Sequence, residues 1–217
     1  MMKKKKGELE RRAYSFEVRA ERREDESIIS GRPIVYEAET DIAGLFKEII
    51  SRGALDGADL TDVRFLVNHN TSMIPLARSR RNNGNSTMQL SVDYEGMSIE
   101  TKLDTENNAD ARSLYSAVER GDITGMSFMF SIEDEEWENI DSDYPTRRIK
   151  KIGSVVEVSA VTWPAYEQTE IYSRSKEALE NARSVVETAR RQNGSSLESE
   201  LELEKAKFYA KIGGNKR

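Results

Sequence analysis

Gly125-Met126-Ser127-Phe128-Met129-Phe130-Ser131 alternates strictly, with Met126, Phe128 and Phe130 on one side of an extended chain and Ser127, Met129 and Ser131 on the other. An alternating run this rich in aromatics reads as a β-strand with one face in a core. Val155-Val156-Glu157-Val158-Ser159-Ala160-Val161-Thr162-Trp163-Pro164-Ala165-Tyr166 repeats the pattern. Val156, Val158 and Ala160 share one face, so Glu157 and Ser159 project together from the other. Phe65-Leu66-Val67-Asn68-His69-Asn70 is a third apolar strand, and it delivers the chain's single histidine to a polar loop.

Working outward, strands are expected at 30–37, 63–68, 87–93, 98–103, 126–133, 147–152 and 155–162, most of them bounded by Gly, Asn or Asp. Ala13–Ala20 alternates as well, with Tyr14, Phe16 and Val18 on one side, and marks the first ordered element. Helical spacing of Ile42, Leu45, Phe46, Ile49 and Ile50 predicts a helix over Asp41–Ser51 with Gly53 as its stop. A second helix is expected over Ala109–Arg120, ended by Gly121. Short Asn/Gly/Asp connections favour antiparallel pairing, and closure removes exposed strand edges. The fold class expected is therefore α+β: a mostly antiparallel β-barrel of about seven strands with flanking helices, plus a helical C-terminal extension.

Composition changes mark three zones: a basic disordered arm over 1–12, the β domain over 13–172, and a charged helical extension over 173–217. In the extension, Ser175–Gln192 carries Ala178, Leu179, Ala182, Val185, Val186 and Ala189 on one stripe. Asn193-Gly194-Ser195-Ser196 breaks it, and Ser195 with Glu198 has capping-box spacing for a further helix. Such thin stripes bury little alone, so the helices are expected to pack on a partner, on another copy, or back on the domain.

The 217 residues include 33 Lys+Arg, 39 Asp+Glu, no Cys and one His, for a net charge of −6. Without cysteine there is no disulfide, thiolate nucleophile or Cys-ligated metal. With one histidine, any device needing two imidazoles is excluded. The acidic balance argues against general nucleic-acid binding. No apolar run suits a membrane helix, and Gly7–Glu26 is too charged for a secretory leader, so a cytosolic protein is expected.

His69 at a strand end suits a general base, because an imidazole titrates near neutrality; it equally suits a loop histidine bonded to backbone. Ser127 suits a nucleophile that a substrate carbonyl must approach closely, or an ordinary solvent-facing serine. Glu157 suits the acid that orients an imidazole through its Nδ1–H, or a cross-strand partner for Arg147 or Lys150. Asp134-Glu135-Glu136 and Asp141-Ser142-Asp143 read as acidic surface loops, and Arg78-Ser79-Arg80-Arg81 with Asn82–Asn85 as a basic, flexible connection. No cofactor and no metal is expected.

Taken together, these segments resemble the HK97-type prohead proteases of tailed bacteriophages, serine peptidases of capsid maturation distantly similar to the herpesvirus assembly proteases. The resemblance runs from about Tyr14 to Tyr172. It rests on Gly31-Arg32-Pro33-Ile34-Val35-Tyr36, on Glu48-Ile49-Ile50 followed by Gly53-Ala54-Leu55, and on Asn68-His69-Asn70 followed by Pro75-Leu76-Ala77-Arg78. It rests further on Gly125-Met126-Ser127-Phe128 and on Glu157-Val158-Ser159 followed by Val161-Thr162 and Pro164-Ala165-Tyr166. Each motif is short; in this order and at these separations they are specific.

The resemblance implies a Ser127 nucleophile, His69 as base and then acid, and Glu157 orienting His69, with Ser159 on the same face as a competitor for the third place. Herpesvirus relatives are similar but use a second histidine there, and this chain has none. Met129 stands where the family often has glycine. The implied partners are the major capsid protein and its scaffold segment, inside the assembling procapsid in the host cytoplasm, with self-processing and a homo-oligomer also in view and no membrane or specific nucleic acid. Two other classes compete: a non-enzymatic capsid assembly or scaffolding protein that keeps the fold, and a small metal-dependent nuclease built on the acidic segments.

Overall fold

A computed structural model describes residues 9–14, 18–162, 180, 182–194, 203 and 205 of the chain. Among residues 9–162 the elements follow in the order β1 Leu9–Tyr14, β2 Val18–Arg23, β3 Glu26–Val35, β4 Glu39–Ile42, β5 Phe46–Ile50, β6 Asp62–Val67, β7 Ala77–Arg80, β8 Met88–Val92, β9 Gly96–Leu103, α1 Ala109–Glu119, β10 Gly125–Glu138 and β11 Thr146–Val161. They form a seven-stranded sheet of order β1-β10-β11-β5-β4, with β6 on β11 and β7 on β6, and a four-stranded sheet of order β2-β3-β9-β8.

β11 organises the larger sheet. Its whole length pairs antiparallel with β10, in a register interrupted by bulges around Ser131 and Ile132. Its first part pairs parallel with β5, Thr146 to Ile149 against Lys47 to Ile50. Its last part pairs parallel with β6, Glu157 to Ala160 against Arg64 to Val67. The turn segment between β5 and β6 supplies the ladder in between: Ile152 donates to Ala54 O at 2.7 Å, Asp59 to Gly153 O at 2.9 Å, and Val155 to Asp59 O at 3.1 Å. These bonds continue the ladder of β11 between its pairing with β5 and its pairing with β6.

The alternation read at residues 125–131 is realised: Met126, Phe128 and Phe130 are fully buried in the main core with Ile29, Ile34 and Phe65. α1 closes one side through Ala111, Leu114, Tyr115 and Val118. Its N-cap Asn108 accepts from Asp110 N at 2.9 Å and Ala111 N at 3.2 Å, using two donors that a helix start leaves over. In the β8–β9 hairpin, Gly96 has φ +144°, and a Cβ there would lie 2.0 Å from Ile34 O, so only glycine fits.

Several expectations are corrected. Among the described residues no sheet closes into a barrel: β1, β4 and β7 end the paths of one sheet, and β2 and β8 those of the other. Pairing is mostly antiparallel, as expected, but β11 runs parallel to both β5 and β6. The helix expected over 41–51 is a hairpin of β4 and β5. Ala43-Gly44-Leu45 connects them, with Ala43 and Gly44 at φ 56° and 69° and Leu45 N donating to Ile42 O at 3.0 Å. Pairing with β11 overrides the local helical spacing. Arg147–Ile152 and Val155–Thr162 are one strand that passes through Gly153. Arg78-Ser79-Arg80, read as the start of a flexible connection, lies in β7, with Arg78 Nε on Asp62 at 2.5 Å. Asp134-Glu135-Glu136, read as a loop, lies within β10. β1 starts at Leu9, inside the stretch read as a disordered arm.

The C-terminal extension lies mostly outside the described residues. Residues 182–194 are helical and pack back on the domain, Ala182 and Val186 against Phe46. Arg190 anchors them, with Nε donating to Ile140 O at 3.0 Å and a terminal nitrogen to Ser142 O at 2.7 Å. The capping box proposed at Ser195 is not among the described residues. No described helix is long and apolar enough to cross a membrane.

Candidate active site

β10 carries Ser127, β11 carries Glu157, and the turn that follows β6 carries His69, the three side chains singled out from the sequence. Ser127 sits opposite Ser159 in the β10–β11 ladder, and Glu157 opposite Met129. Their shared face follows from strand periodicity alone. β6 ends at Val67, and the chain then turns back through Asn68 and His69, both in the left-handed region at φ 51° and 56°. Asn tolerates that conformation better than most residues. Its side chain also holds the turn, since Asn68 Oδ1 accepts from Thr162 N at 3.0 Å and Thr162 Oγ1 at 3.2 Å. The ring of His69 is thereby swung over the Ser127–Glu157 face.

His69 Nδ1 lies 2.7 Å from Glu157 Oε2, and Nε2 lies 2.5 Å from Ser127 Oγ. A carboxylate only accepts, so Nδ1 carries hydrogen, and in the neutral ring Nε2 is the acceptor facing the serine. Ser159 donates to Glu157 Oε1 and accepts from His69 N at 3.0 Å, tying the carboxylate to the histidine backbone. The site is shielded from solvent: the His69 side chain is 15% exposed and that of Glu157 4%. The cross-strand alternative for Glu157 is not seen: Arg147 bonds Glu10, Glu48 and Glu135, and Lys150 approaches Glu136 at 3.7 Å.

Ser127 itself is 1% exposed. β1 runs antiparallel along β10 in the register Arg12 to Phe128 and Ala13 to Ser127, and Ser127 Oγ donates to Arg12 O at 2.6 Å. The hydroxyl has one hydrogen and two acceptors within reach, His69 Nε2 and Arg12 O. With β1 in place the backbone carbonyl competes for the proton that the imidazole would take.

Beside His69, Asn68 and Asn70 border a hollow of about 470 Å³ with Val67, Met73, Leu114 and Ile123 in its wall. Sequence reading missed Asn68 and Thr162 as supports of the histidine turn. An asparagine directly after an apolar strand was the available signal. It also missed the Arg12 carbonyl, which no pattern marks because any residue has one. Among the described residues no group of His, Asp and Glu is placed to hold a metal ion.

An imidazole between a buried carboxylate and a hydroxyl is the constellation that serine hydrolases use on several unrelated folds. The model of one family, described as caudovirus prohead serine protease, matches residues 14–184, and the chain belongs to that family. The prohead protease of Enterobacteria phage HK97 is 30% identical over 143 residues, covering 64% of this chain and 58% of that protein. The chain thus spans little more than half the length of that relative. Among solved structures, the capsid assembly protease of bacteriophage T4 aligns with 71% of this chain and 99% of its own at 12% identity, with a TM-score of 0.38.

Proposed function

We propose that this protein is a serine endopeptidase that cleaves capsid or scaffold protein, and itself, during phage head maturation. The observation that carries the reading is the Ser127–His69–Glu157 chain of contacts at 2.5 Å and 2.7 Å, within a chain of the prohead protease family. His69 removes the Ser127 proton as Oγ attacks the peptide carbonyl, then gives it to the leaving amine; water releases the acyl group with His69 again as base. Glu157 keeps the hydrogen on Nδ1 and stabilises the imidazolium, and Ser159 positions Glu157 instead of replacing it. The scissile peptide comes from the major capsid protein with its scaffold segment, inside the procapsid in the host cytoplasm. Self-processing is supported by β1, which already lies against Ser127. The domain of residues 13–172 carries the activity, and the extension from residue 173 serves docking, oligomer contacts or later removal.

Co-expression with the cognate capsid protein tests the proposal. The wild type is expected to shorten the capsid protein, and Ser127→Ala to leave it whole. Unchanged processing by a folded Ser127→Ala protein would return the chain to the class of non-enzymatic assembly proteins.

A further inference from the structure

β1 obeys strand alternation: Arg11 points to solvent while Glu10 and Arg12 turn inward. Arg12 Nε donates to Glu48 Oε1, and a terminal nitrogen donates to Glu48 Oε2 at 2.7 Å. Glu48, on β5, has no solvent exposure, whereas the Arg12 side chain is 12% exposed. Glu10 meets Arg147, with guanidinium nitrogens 2.8 Å and 2.9 Å from its two oxygens. Arg147 is 5% exposed and also reaches Glu48 at 3.2 Å and Glu135 at 2.5 Å.

Without β1, Glu48 keeps one guanidinium where it had two, and Arg147 loses one of three carboxylates. What remains on the domain is Arg147 between Glu48 and Glu135, one guanidinium against two carboxylates, with hydrogen-bonding atoms of Glu48 and Arg147 left open. An incoming strand regains those bonds: a basic residue on Glu48 offsets the surplus negative charge, and an acidic residue again spans the Arg147 guanidinium. The edge of β10 has the free backbone groups that such a strand needs.

We infer that Glu48 and Arg147 are the specificity residues of a strand-binding groove along β10, and that the groove selects a peptide of the form acidic–any–basic. Glu48 takes the basic residue whose carbonyl faces Ser127, and Arg147 takes the acidic residue two positions before it. β1, with Glu10-Arg11-Arg12, is the internal example. The inference deepens the protease reading and rests on it for the role of Ser127.

The test uses the full chain with Ser127→Ala, so that nothing is cleaved, and with Glu10→Ala and Arg12→Ala to loosen β1. The probe is a fluorescein-labelled peptide of the β1 sequence, Leu-Glu-Arg-Arg-Ala-Tyr, followed by anisotropy. Changing its second arginine to glutamine is expected to weaken binding about tenfold, and to glutamate about 100-fold. Changing its glutamate to lysine is expected to weaken it to a similar degree, and changing its first arginine to leave binding unchanged. Glu48→Gln on the protein should erase the preference for the second arginine, with circular dichroism checking the fold. Equal affinity for all peptides, or saturable binding of none, overturns the inference. Fluorophosphonate labelling of the loosened chain with Ser127 retained separates the two readings. Labelling without charge preference removes the specificity inference alone; charge preference without labelling removes the protease reading and leaves a peptide-binding groove.

Discussion

Replacing Glu157 by Gln removes one negative charge and almost no volume. The amide can present oxygen to His69 Nδ1–H and its NH2 to Ser159 Oγ, which already accepts from His69 N and has a second lone pair. The fold should survive with a loss of at most about 1–2 kcal/mol. Catalysis should not. As Ser127 gives up its proton, His69 becomes an imidazolium whose Nδ1 sits 2.7 Å from the carboxylate. Ring charge is delocalised, so a centre-to-centre distance of about 4 Å is appropriate, and at an effective dielectric of about 20 the attraction is about 4 kcal/mol. That corresponds to a rate loss of about a thousandfold. The measurement is the rate at which a fluorophosphonate modifies Ser127 in the chain loosened by Glu10→Ala and Arg12→Ala, with and without Glu157→Gln, read by intact-mass spectrometry, because it needs no knowledge of the natural substrate. A fall of less than tenfold in a protein with an unchanged thermal midpoint would refute the role given to Glu157.

Ser159→Ala strips the partner from the His69 amide and the donor from Glu157 Oε1; about 1–3 kcal/mol of stability and about tenfold in the same labelling rate should be lost. An unchanged rate would make Ser159 a packing residue only. Gly96→Ala forces a Cβ to within 2.0 Å of Ile34 O at φ +144°, so urea denaturation should show a loss of about 3 kcal/mol or more. Burial opposes ionisation of Glu10, but the charges and hydrogen bonds of Arg12 and Arg147 outweigh it and hold its carboxyl below the ordinary range. Its contribution is therefore present above the ordinary carboxylate pKa and lost as pH falls through the lowered value. Hydrogen exchange of β1 amides should stay slow from pH 7 to 5 and, after correction for the intrinsic rate, accelerate below about pH 4. In Glu10→Gln the corrected rate should be fast at every pH, and a protected β1 in that variant would contradict the part given to the Glu10–Arg147 pair in holding β1.

Strands with strict alternation were the most legible elements. Residues 125–131 and 157–161 were placed by period alone, because one face had to be apolar for a core and the other was free to carry Ser127, Glu157 and Ser159; a register shift just before them puts Val155 in the core where the period had put Val156. The β4–β5 hairpin was illegible for the converse reason. Ile42, Leu45, Phe46, Ile49 and Ile50 suit a helix face, and what overrules them is pairing with β11, about a hundred residues further along the chain. Glu48 passed as a motif residue, since its burial depends on Arg147 and on Arg12, whose strand was expected to be disordered.

The sequence by itself determined which chemistry was possible: with no cysteine and one histidine, any imidazole base could only be His69, and any group orienting it had to be something other than histidine. It also determined the faces, because strand periodicity is local and needs no partner. Only the tertiary structure decided proximity. Two successive left-handed residues aim His69 back over the sheet, and parallel pairing of β6 with β11 brings it to Glu157 across 88 positions of chain. The docking of β1 on β10 is equally non-local, and it decides that Ser127, though in contact with the His69 imidazole, lies beneath the protein's own backbone.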